Sequence, residues 1–216
     1  MNRLLRLLAV VALVLGGFQL LAAPTASAQR TDPVALEASA LSVTYAKQLV
    51  LTATLAAPQP DAQIDFYAKT AGDAAKLLGS ATAGGDGEAK VTVPVTHTAT
   101  YSAVLVIGGV PVAESASVDV VVAPVLKLKA AQVIGPIYHF TATIVPATGG
   151  VPIVLQRLVG KRWKKVGKTV TEGGTYIFNA EIPSDVASKW RVFVRGSTKF
   201  GEASSKTVRV VDPEGR

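Results

Sequence analysis

The densest group of side chains that could bind a ligand lies in the second half of the chain, where basic residues surround one tryptophan. Its members are Lys161, Arg162, Trp163, Lys164, Lys165 and Lys168. Cationic side chains pair with phosphate or carboxylate groups, and an exposed aromatic ring stacks on a base or a sugar. The pattern therefore suggests binding of an anionic glycan or a nucleic acid.

A second group of the same character lies further along the chain. Arg191, Phe193 and Arg195 occur at every second position, so in a strand their side chains share the outward face, beside Arg209. A solvated surface is the simpler explanation of both groups, because lysines on a hairpin also keep a sheet edge from pairing with another chain. From the sequence, both explanations stay open.

The charge of the chain is divided between its two halves. Residues 29–124 contain 5 Lys and Arg against 9 Asp and Glu, a net charge of −4, whereas residues 125–216 contain 15 against 6, a net charge of +9. A strongly basic domain attracts anionic polymers or surfaces, and the attraction weakens as salt is added. We therefore expect the second half to form the contact surface for such a partner.

Catalytic chemistry finds little support among the residue types present. The chain has no cysteine and only two histidines, His97 and His139, which lie in different halves and are expected at the surface or at strand ends. It has neither a G-x-S-x-G nucleophile motif nor a zinc-binding histidine pair. We predict a protein that is not an enzyme, with no catalytic residues and no cofactor.

A calcium site needs several carboxylates on converging loops, because the ion takes about 6 to 8 oxygen ligands. Asp61 and Asp65 flank the start of one strand, and Asp86 and Glu88 flank a glycine turn, but neither pair matches the D-x-D-x-D-G loop. Asp86 before Gly87 is the residue type expected in a turn. We predict no metal site.

The elements that must position these side chains belong to an internal repeat. Leu51–Leu55 (LTATL) matches Phe140–Ile144 (FTATI), an offset of 89 residues. Further matches lie near the same offset: Ile64–Phe66 with Ile153–Leu155, Tyr101–Val106 with Trp190–Val194, and Ser115–Val122 with Ser204–Val211. Several weak matches in one register indicate two copies of one folding unit.

Apolar residues recur at every second position in these segments, which is the period of a strand with one buried face. Leu49, Leu51, Ala53 and Leu55 should point to one side in one segment, and Tyr101, Ala103, Leu105 and Ile107 in another. Proline and glycine signals separate about seven such segments in each unit, as in a two-sheet sandwich. The sequence predicts an all-β fold of two tandem sandwiches.

The start of the chain has the pattern of a secretory signal peptide. Arg3 and Arg6 precede the apolar run Leu7–Leu15, and small residues at Ala26 and Ala28 fit a signal peptidase site. An uncleaved anchor is the alternative, although a spanning helix needs about 20 apolar residues. We predict a signal peptide at 1–28 and no transmembrane segment after its cleavage.

The remaining boundaries follow from the repeat. A short linker at Ala123 and Pro124 should hold the two units end to end with limited freedom. The predicted domains are a first sandwich at 29–123 and a second at 124–212, followed by a tail at 213–216. The tail contains no sorting motif, so we expect release after export, or retention through the basic second unit.

Four segments of the first unit are familiar in type: Val43–Ala46 (VTYA), Leu51–Leu55 (LTATL), Ile64–Tyr67 (IDFY) and Thr100–Ala103 (TYSA). They resemble the immunoglobulin-like repeats of bacterial secreted and surface proteins. Ala46 departs from that pattern, in which a glycine is usual at this position. The resemblance covers nearly the whole chain after the signal peptide and implies an immunoglobulin-like β-sandwich fold.

The second unit resembles a related actinobacterial form of the domain. The matching residues are Ile153–Arg157 (IVLQR), Trp163, Val166, Gly174–Phe178 (GTYIF) and Trp190–Val192 (WRV). Because Trp163 belongs to the domain pattern, the resemblance favours a packing role for its ring. Such domains serve as spacers, adhesion modules or accessory binding domains, and the fold alone does not choose among these roles.

Together these observations predict a secreted, extracellular or envelope-associated protein that acts as a binding, adhesion or structural module. The expected partners are anionic cell-wall polymers, glycans, phospholipid headgroups or another envelope protein, rather than nucleic acid. Two alternatives stay open. One is an enzyme or accessory domain that acts on cell-wall glycans, and the other is a spacer or assembly subunit.

Overall fold

The computed structural model describes residues 33–59, 61–147, 149–170, 173–182 and 187–211. The predicted signal peptide at 1–28 and the tail at 213–216 lie outside these residues. Every regular element of the described segments is a β-strand, as the alternating pattern predicts. Within them, no helix has the length and apolar character needed to cross a membrane.

Within the described residues, nine strands form the first sandwich. They are β1 (Val34–Ala38), β2 (Ser42–Thr44), β3 (Gln48–Leu55), β4 (Gln63–Thr70), β5 (Lys76–Thr82), β6 (Glu88–Pro94), β7 (Ala99–Ile107), β8 (Val110–Glu114) and β9 (Val118–Ala123). One sheet has the order β1-β3-β6, and the other has the order β2-β9-β7-β4-β5, with β8 paired to β7. All pairings are antiparallel except that of β2 with β9.

The second sandwich has the same plan, with eight strands in the part of it that the structure describes. They are β10 (Val125–Ile134), β11 (Ile137–Val145), β12 (Pro152–Val159), β13 (Arg162–Val170), β14 (Thr175–Glu181), β15 (Ser188–Val194), β16 (Ala203–Ser204) and β17 (Val208–Val210). One sheet has the order β10-β11-β14, and the other has the order β13-β12-β15-β16, with β17 also paired to β15.

Each sandwich has its own hydrophobic core, made by the inward side of every strand. Leu49, Leu51 and Phe66 are fully buried in the first core. Trp190 and Phe140 are fully buried in the second core, with ring centroids 4.5 Å apart. Aromatic and branched side chains of this size supply the burial that stabilises a domain of about 90 residues without disulfides.

The predicted alternation fails at the end of β7. Tyr101, Ala103 and Leu105 are buried as expected, but Val106 is buried and Ile107 is 49% exposed, which is the reverse of the prediction. The register between β7 and β8 shifts between Leu105 and Val106. The extra residue is Val112 of β8, because Leu105 pairs with Ala113 and Val106 pairs with Pro111, whereas β7 keeps an unbroken register with β4. The bulge therefore does not account for the reversal, which falls on the last two residues of β7.

A buried serine ties the last strands of each sandwich together. The Ser115 hydroxyl accepts a hydrogen bond from the Ala103 N–H at 3.0 Å, and the Ser205 hydroxyl accepts one from the Val192 N–H at 3.1 Å. Ala103 and Val192 are 89 residues apart, whereas the two serines are 90 apart. The closing segments therefore correspond one residue later in the second unit than the sequence match placed them.

A loop of the second sandwich inserts into the first. Phe200, in the segment between β15 and β16, is 4% exposed and packs in the first core, not the second. Its ring centroid lies 5.3 Å from that of His97 and 6.4 Å from that of Tyr45. No position was predicted for Phe200, and its contact with the first core adds to the short linker predicted between the units.

Backbone hydrogen bonds hold the inserted loop on both sides of Phe200. The Thr98 N–H donates to the Lys199 carbonyl at 2.9 Å, and the Gly201 N–H donates to the Val122 carbonyl at 2.8 Å. A Cβ on Gly201 would lie 2.4 Å from Cγ1 of Val121, so only glycine fits here without a shift of that side chain. The two sandwiches are therefore joined by packing as well as by the chain.

Candidate functional site

The second sandwich presents one sheet face outward along β15 and its neighbours. Trp190, Val192 and Val194 of β15 are buried, and the residues between them alternate with these. Since successive side chains of a strand point to opposite faces, Lys189, Arg191 and Phe193 point away from the core. This agrees with the outward side predicted for Arg191 and Phe193.

Cross-strand pairing extends this face onto β12, β13 and β17. Gln156 of β12 pairs with Arg191 on one side and with Lys165 of β13 on the other, and Lys189 pairs with Arg209 of β17. Residues that are directly opposite in a sheet share a face. The face is therefore continuous across all four strands.

A bulge in β13 decides which residues of the predicted hairpin cluster reach this face. Val166 is an extra residue, because Leu155 pairs with Gly167 while its neighbour Gln156 pairs with Lys165. In a regular strand, side chains at odd and even positions point to opposite faces. The extra residue removes this difference, so Trp163, Lys165 and Lys168 all point outward. We define the basic face by its charged and aromatic members: Trp163, Lys165, Lys168, Lys189, Arg191, Phe193 and Arg209.

The other members of the predicted site lie elsewhere. Arg162 and Lys164 are exposed on the opposite side of β13, and Lys164 pairs with Arg157, whose guanidinium lies 5.8 Å from the buried Trp190 ring. Lys161 occupies the turn between β12 and β13, and Arg195 follows the end of β15. Lys189 and Gln156 were missed, although the alternation of β15 already placed Lys189 beside Arg191.

The strand residues that form this outward face include no aspartate or glutamate. One ion pair is present in the described part of the chain, between Lys90 and Glu88 of the first sandwich at 2.6 Å. The five cations of the basic face are therefore not neutralised by carboxylates of the described residues. A surface of this kind attracts anions more strongly than one with interspersed charges.

Arg191 is the most constrained cation of the face. Its Nε donates a hydrogen bond to Oε1 of Gln156 at 2.8 Å. Its Cζ lies 4.3 Å from the centroid of the Trp163 ring and 6.0 Å from that of Phe193. Partial burial lowers the pKa of Arg191 from its ordinary value, which is so high that the guanidinium stays charged near neutral pH.

The sequence suggested that Trp163 either packs or stacks on a ligand, and its ring is half-buried outside the second core. Its partner is the Arg191 guanidinium, at a distance typical of a cation–π contact. The ring therefore packs, but it does so on the surface and against a cation. This contact occupies a ring face that an exposed tryptophan would offer to a sugar or a base.

Three of the four acidic residues weighed as calcium ligands, Asp65, Asp86 and Glu88, have other partners. Asp65 accepts hydrogen bonds from Gln63 Nε2 at 2.8 Å and Ser80 Oγ at 2.6 Å. Asp86 accepts one from the backbone N–H of Glu88 at 3.0 Å, which is a turn contact. Among the described residues, no group of three or more His, Asp or Glu is arranged to hold a metal ion.

Clefts of the first sandwich bear on the enzyme alternative. One cleft of about 590 Å³ is lined by a single carboxylate, Asp119, which accepts a hydrogen bond from Thr100 at 2.6 Å. Another cleft, of about 340 Å³, also has a single carboxylate in its lining, that of Asp73. Glycoside hydrolysis commonly uses two carboxylates across the scissile bond. Neither of these clefts provides such a pair.

No protein-family model matches the chain, and no curated protein matches it. Among solved structures, a segment of two fibronectin type-III domains from chicken tenascin matches with a TM-score of 0.54 and 12% identity, covering 83% of this chain and 100% of that one. Fibronectin type-III domains share the sandwich architecture of immunoglobulin domains. The fold is immunoglobulin-like.

Two further structures match at lower TM-scores. The human OSCAR ligand-binding domain has a TM-score of 0.34 and 16% identity, covering 83% of this chain and 99% of that one. A DUF4785 family protein from Legionella pneumophila has a TM-score of 0.43 and 11% identity, covering 81% of this chain and 56% of that one. An immunoglobulin-like fold is consistent with a binding or structural module, and identities this low do not indicate a ligand.

Proposed function

We propose that the chain is a secreted, non-enzymatic protein of the bacterial immunoglobulin-like repeat type. It acts as a binding, adhesion or structural module at the cell envelope, and the basic face of the second sandwich is its contact surface. The proposed partner is an anionic cell-wall polymer or an acidic glycan. The observation that supports this proposal is the gathering of five cations on one sheet face without a carboxylate among them.

The spacing of these cations suits a polymer better than a small anion. Side chains on one face of a strand repeat about every 6 to 7 Å, and neighbouring strands lie about 4.8 Å apart. Both distances are below the Debye length of about 8 Å at physiological ionic strength. A chain of negative charges that lies across β13, β12 and β15 would therefore interact with several cations at once.

The division of charge between the sandwiches supports the same orientation. The first half has a net charge of −4 and the second half has a net charge of +9. An anionic polymer is attracted to the second sandwich and repelled by the first, so contact is favoured on one domain only. This arrangement leaves the first sandwich available as a spacer or as a site for another partner.

The proposal is tested by retention of the purified protein on isolated cell walls and on immobilised acidic glycans over a range of salt concentrations. The test variant K165Q/K168Q removes two cations of the basic face. The control R162Q/K164Q removes the same charge from the opposite side of β13. A second control, K127Q/K129Q, removes it from two exposed positions of β10 in the other sheet.

We expect the wild type to be retained and to be released by salt. K165Q/K168Q should bind roughly tenfold more weakly, since each exposed charge contact is worth up to about 1 kcal/mol. Both controls should bind within about twofold of the wild type by the same reasoning. Equal losses in all three variants would contradict the assignment to this face, and release of soluble wall fragments would contradict the non-enzymatic role.

A further inference from the structure

We propose that Arg191 is a preorganised oxyanion anchor, which binds one two-oxygen group of the polymer, a phosphodiester or a carboxylate, through both terminal nitrogens of its guanidinium. This inference rests on the proposed function and names the chemical group that the basic face recognises. It also separates one residue that sets geometry from four that contribute charge.

The guanidinium of Arg191 is fixed by three neighbours on the same face. Gln156 accepts the Nε hydrogen at 2.8 Å, and the rings of Trp163 and Phe193 lie within 4.3 and 6.0 Å of Cζ. A long side chain normally loses rotamer freedom when it binds a ligand, and this loss weakens binding. In Arg191 much of that ordering is already present in the unbound protein.

The bonds that fix Arg191 leave its main recognition groups available. An arginine has five N–H donors, and Gln156 uses the one on Nε. The four donors on the terminal nitrogens make no hydrogen bond or ion pair with the described residues. Their planar fork matches the spacing of two oxygens on a phosphate or a carboxylate, which is the bidentate geometry that lysine does not provide.

The other cations of the basic face lack this constraint. Lys165, Lys168, Lys189 and Arg209 are exposed and have no hydrogen-bond or ion-pair partner among the described residues. They therefore attract a polyanion through the long-range field, with little preference for the geometry of its charged groups. Arg209 is the useful comparison, because it has the same chemical group on the same face without the stacking and the Gln156 bond.

The position of Trp163 directs recognition toward the anionic group itself. Its ring is engaged by the Arg191 guanidinium, so stacking of a base or sugar on that ring face would have to displace a cation–π contact. An oxyanion approaching the terminal nitrogens leaves this contact in place. The geometry thus favours an oxyanion over an uncharged ring as the recognised feature.

The inference is tested by titrating two soluble probes, synthetic poly(glycerol phosphate) and polyglutamate, into the wild type and into R191K and R209K. Both variants keep the charge of the face, so the salt dependence of binding should not change. R191K should bind the preferred probe roughly tenfold more weakly, as expected for loss of a charge-assisted bidentate contact. R209K should stay within about twofold. The probe with the larger R191K loss identifies the oxyanion.

A spectroscopic readout checks that Arg191 contacts the ligand directly. The chain has two tryptophans. Trp190 is fully buried, whereas Trp163 touches Arg191, so a change in emission on adding the probe should come from Trp163. We expect this change in the wild type, its loss in R191K and in W163F, and its retention in R209K.

Two outcomes distinguish this inference from the proposed function. Binding by the wild type with equal losses in R191K and R209K would overturn the anchor role while leaving the basic face as the contact surface. Absence of wild-type binding to both polymers would contradict the proposed function and the anchor role together. Replacement of Gln156 with leucine gives a further check, since freeing Nε should weaken binding by roughly threefold without a change in charge.

Discussion

Replacing Phe200 with alanine removes a ring that belongs to the second sandwich in sequence and to the first in packing. The side chain is 4% exposed. Burial of a phenylalanine side chain is worth about 1.5 to 3 kcal/mol, and its truncation in a core costs about 3 to 5 kcal/mol once the cavity is included. We take the lower end of this range and expect a loss of about 3 kcal/mol.

This free energy couples the two sandwiches, because the ring is buried only while both are folded. Such coupling is reciprocal, so its loss should appear in whichever sandwich unfolds first. In the F200A variant we expect two separated transitions, the first at about 2 M less urea than in the wild type, given a slope near 1.5 kcal/mol per molar for a domain of this size. Tryptophan emission reports the second sandwich alone, and circular dichroism reports both.

The matched control is F193A, which removes a ring of the same size from the basic face. Phe193 is half-buried and contacts Arg191, but it is in neither core. We expect its loss to lower the free energy of unfolding by less than about 1 kcal/mol, the scale of an exposed cation–π contact. Equal and small effects of F200A and F193A would refute the docking of the loop into the first sandwich.

Three further predictions concern local packing. Gly201→Ala should destabilise the protein by about 1 to 2 kcal/mol, since its Cβ would lie 2.4 Å from Cγ1 of Val121, and addition of V121A should recover most of the loss in a double-mutant cycle. Ala46→Gly should raise the free energy of unfolding by about 0.5 to 1 kcal/mol because Ala46 has a φ of 61°, and an unchanged urea midpoint would contradict this. Ser115→Ala and Ser205→Ala should each lower the free energy of unfolding by about 1 to 3 kcal/mol, since each leaves a buried N–H without its acceptor. Melting temperatures equal to that of the wild type would contradict a stabilising role for these hydrogen bonds.

The departure at Ala46 shows how a resemblance can identify a backbone requirement. The turn closes with a hydrogen bond from the Lys47 N–H to the Thr44 carbonyl at 3.1 Å, and Ala46 occupies its third position with a φ of 61°. A positive φ at this position is typical of type II turns, which favour glycine. The departure from the pattern thus marked a residue with a strained backbone, although the value of φ comes from the structure.

The strands were predictable because burial alternates with a period of two wherever a strand is regular. Leu49, Leu51, Ala53 and Leu55 are all buried, as the pattern requires. A bulge interrupts this period without leaving a mark in the hydrophobic pattern of the chain, as at Val166 of β13. The reversal at Val106 and Ile107 falls on the last residues of β7, and the pairing of that strand does not explain it.

The division of the predicted basic cluster between two sheet faces could not be seen in the sequence. The hairpin cluster was visible as a run of basic residues, but without the bulge at Val166 the side chains of Trp163 and Lys168 would point to opposite faces. The contact of Trp163 with Arg191 joins strands that are not adjacent in the sheet. Only the folded register reveals such a contact. From the sequence, both packing and stacking on a ligand therefore remained open as roles for the Trp163 ring.

The burial of Phe200, but not its partner, could have been predicted from the sequence. A large apolar side chain within the polar loop 195–202 of the second unit must find a buried place or remain exposed. Its place is in the other sandwich, and no pattern within one repeat could have named that partner. Contacts between domains depend on their relative placement, which the periodicity of single strands does not determine.

The central claim is that the sheet formed by β13, β12 and β15 of the second sandwich is the contact surface for an anionic polymer. Its most direct test is backbone chemical-shift mapping of the isotope-labelled protein during titration with soluble poly(glycerol phosphate) or polyglutamate. We expect shift changes along β13, β12, β15 and β17, centred on Arg191 and reversed by salt. Changes centred on β10, β11 and β14 or on the first sandwich, or no changes with either polymer, would contradict the claim.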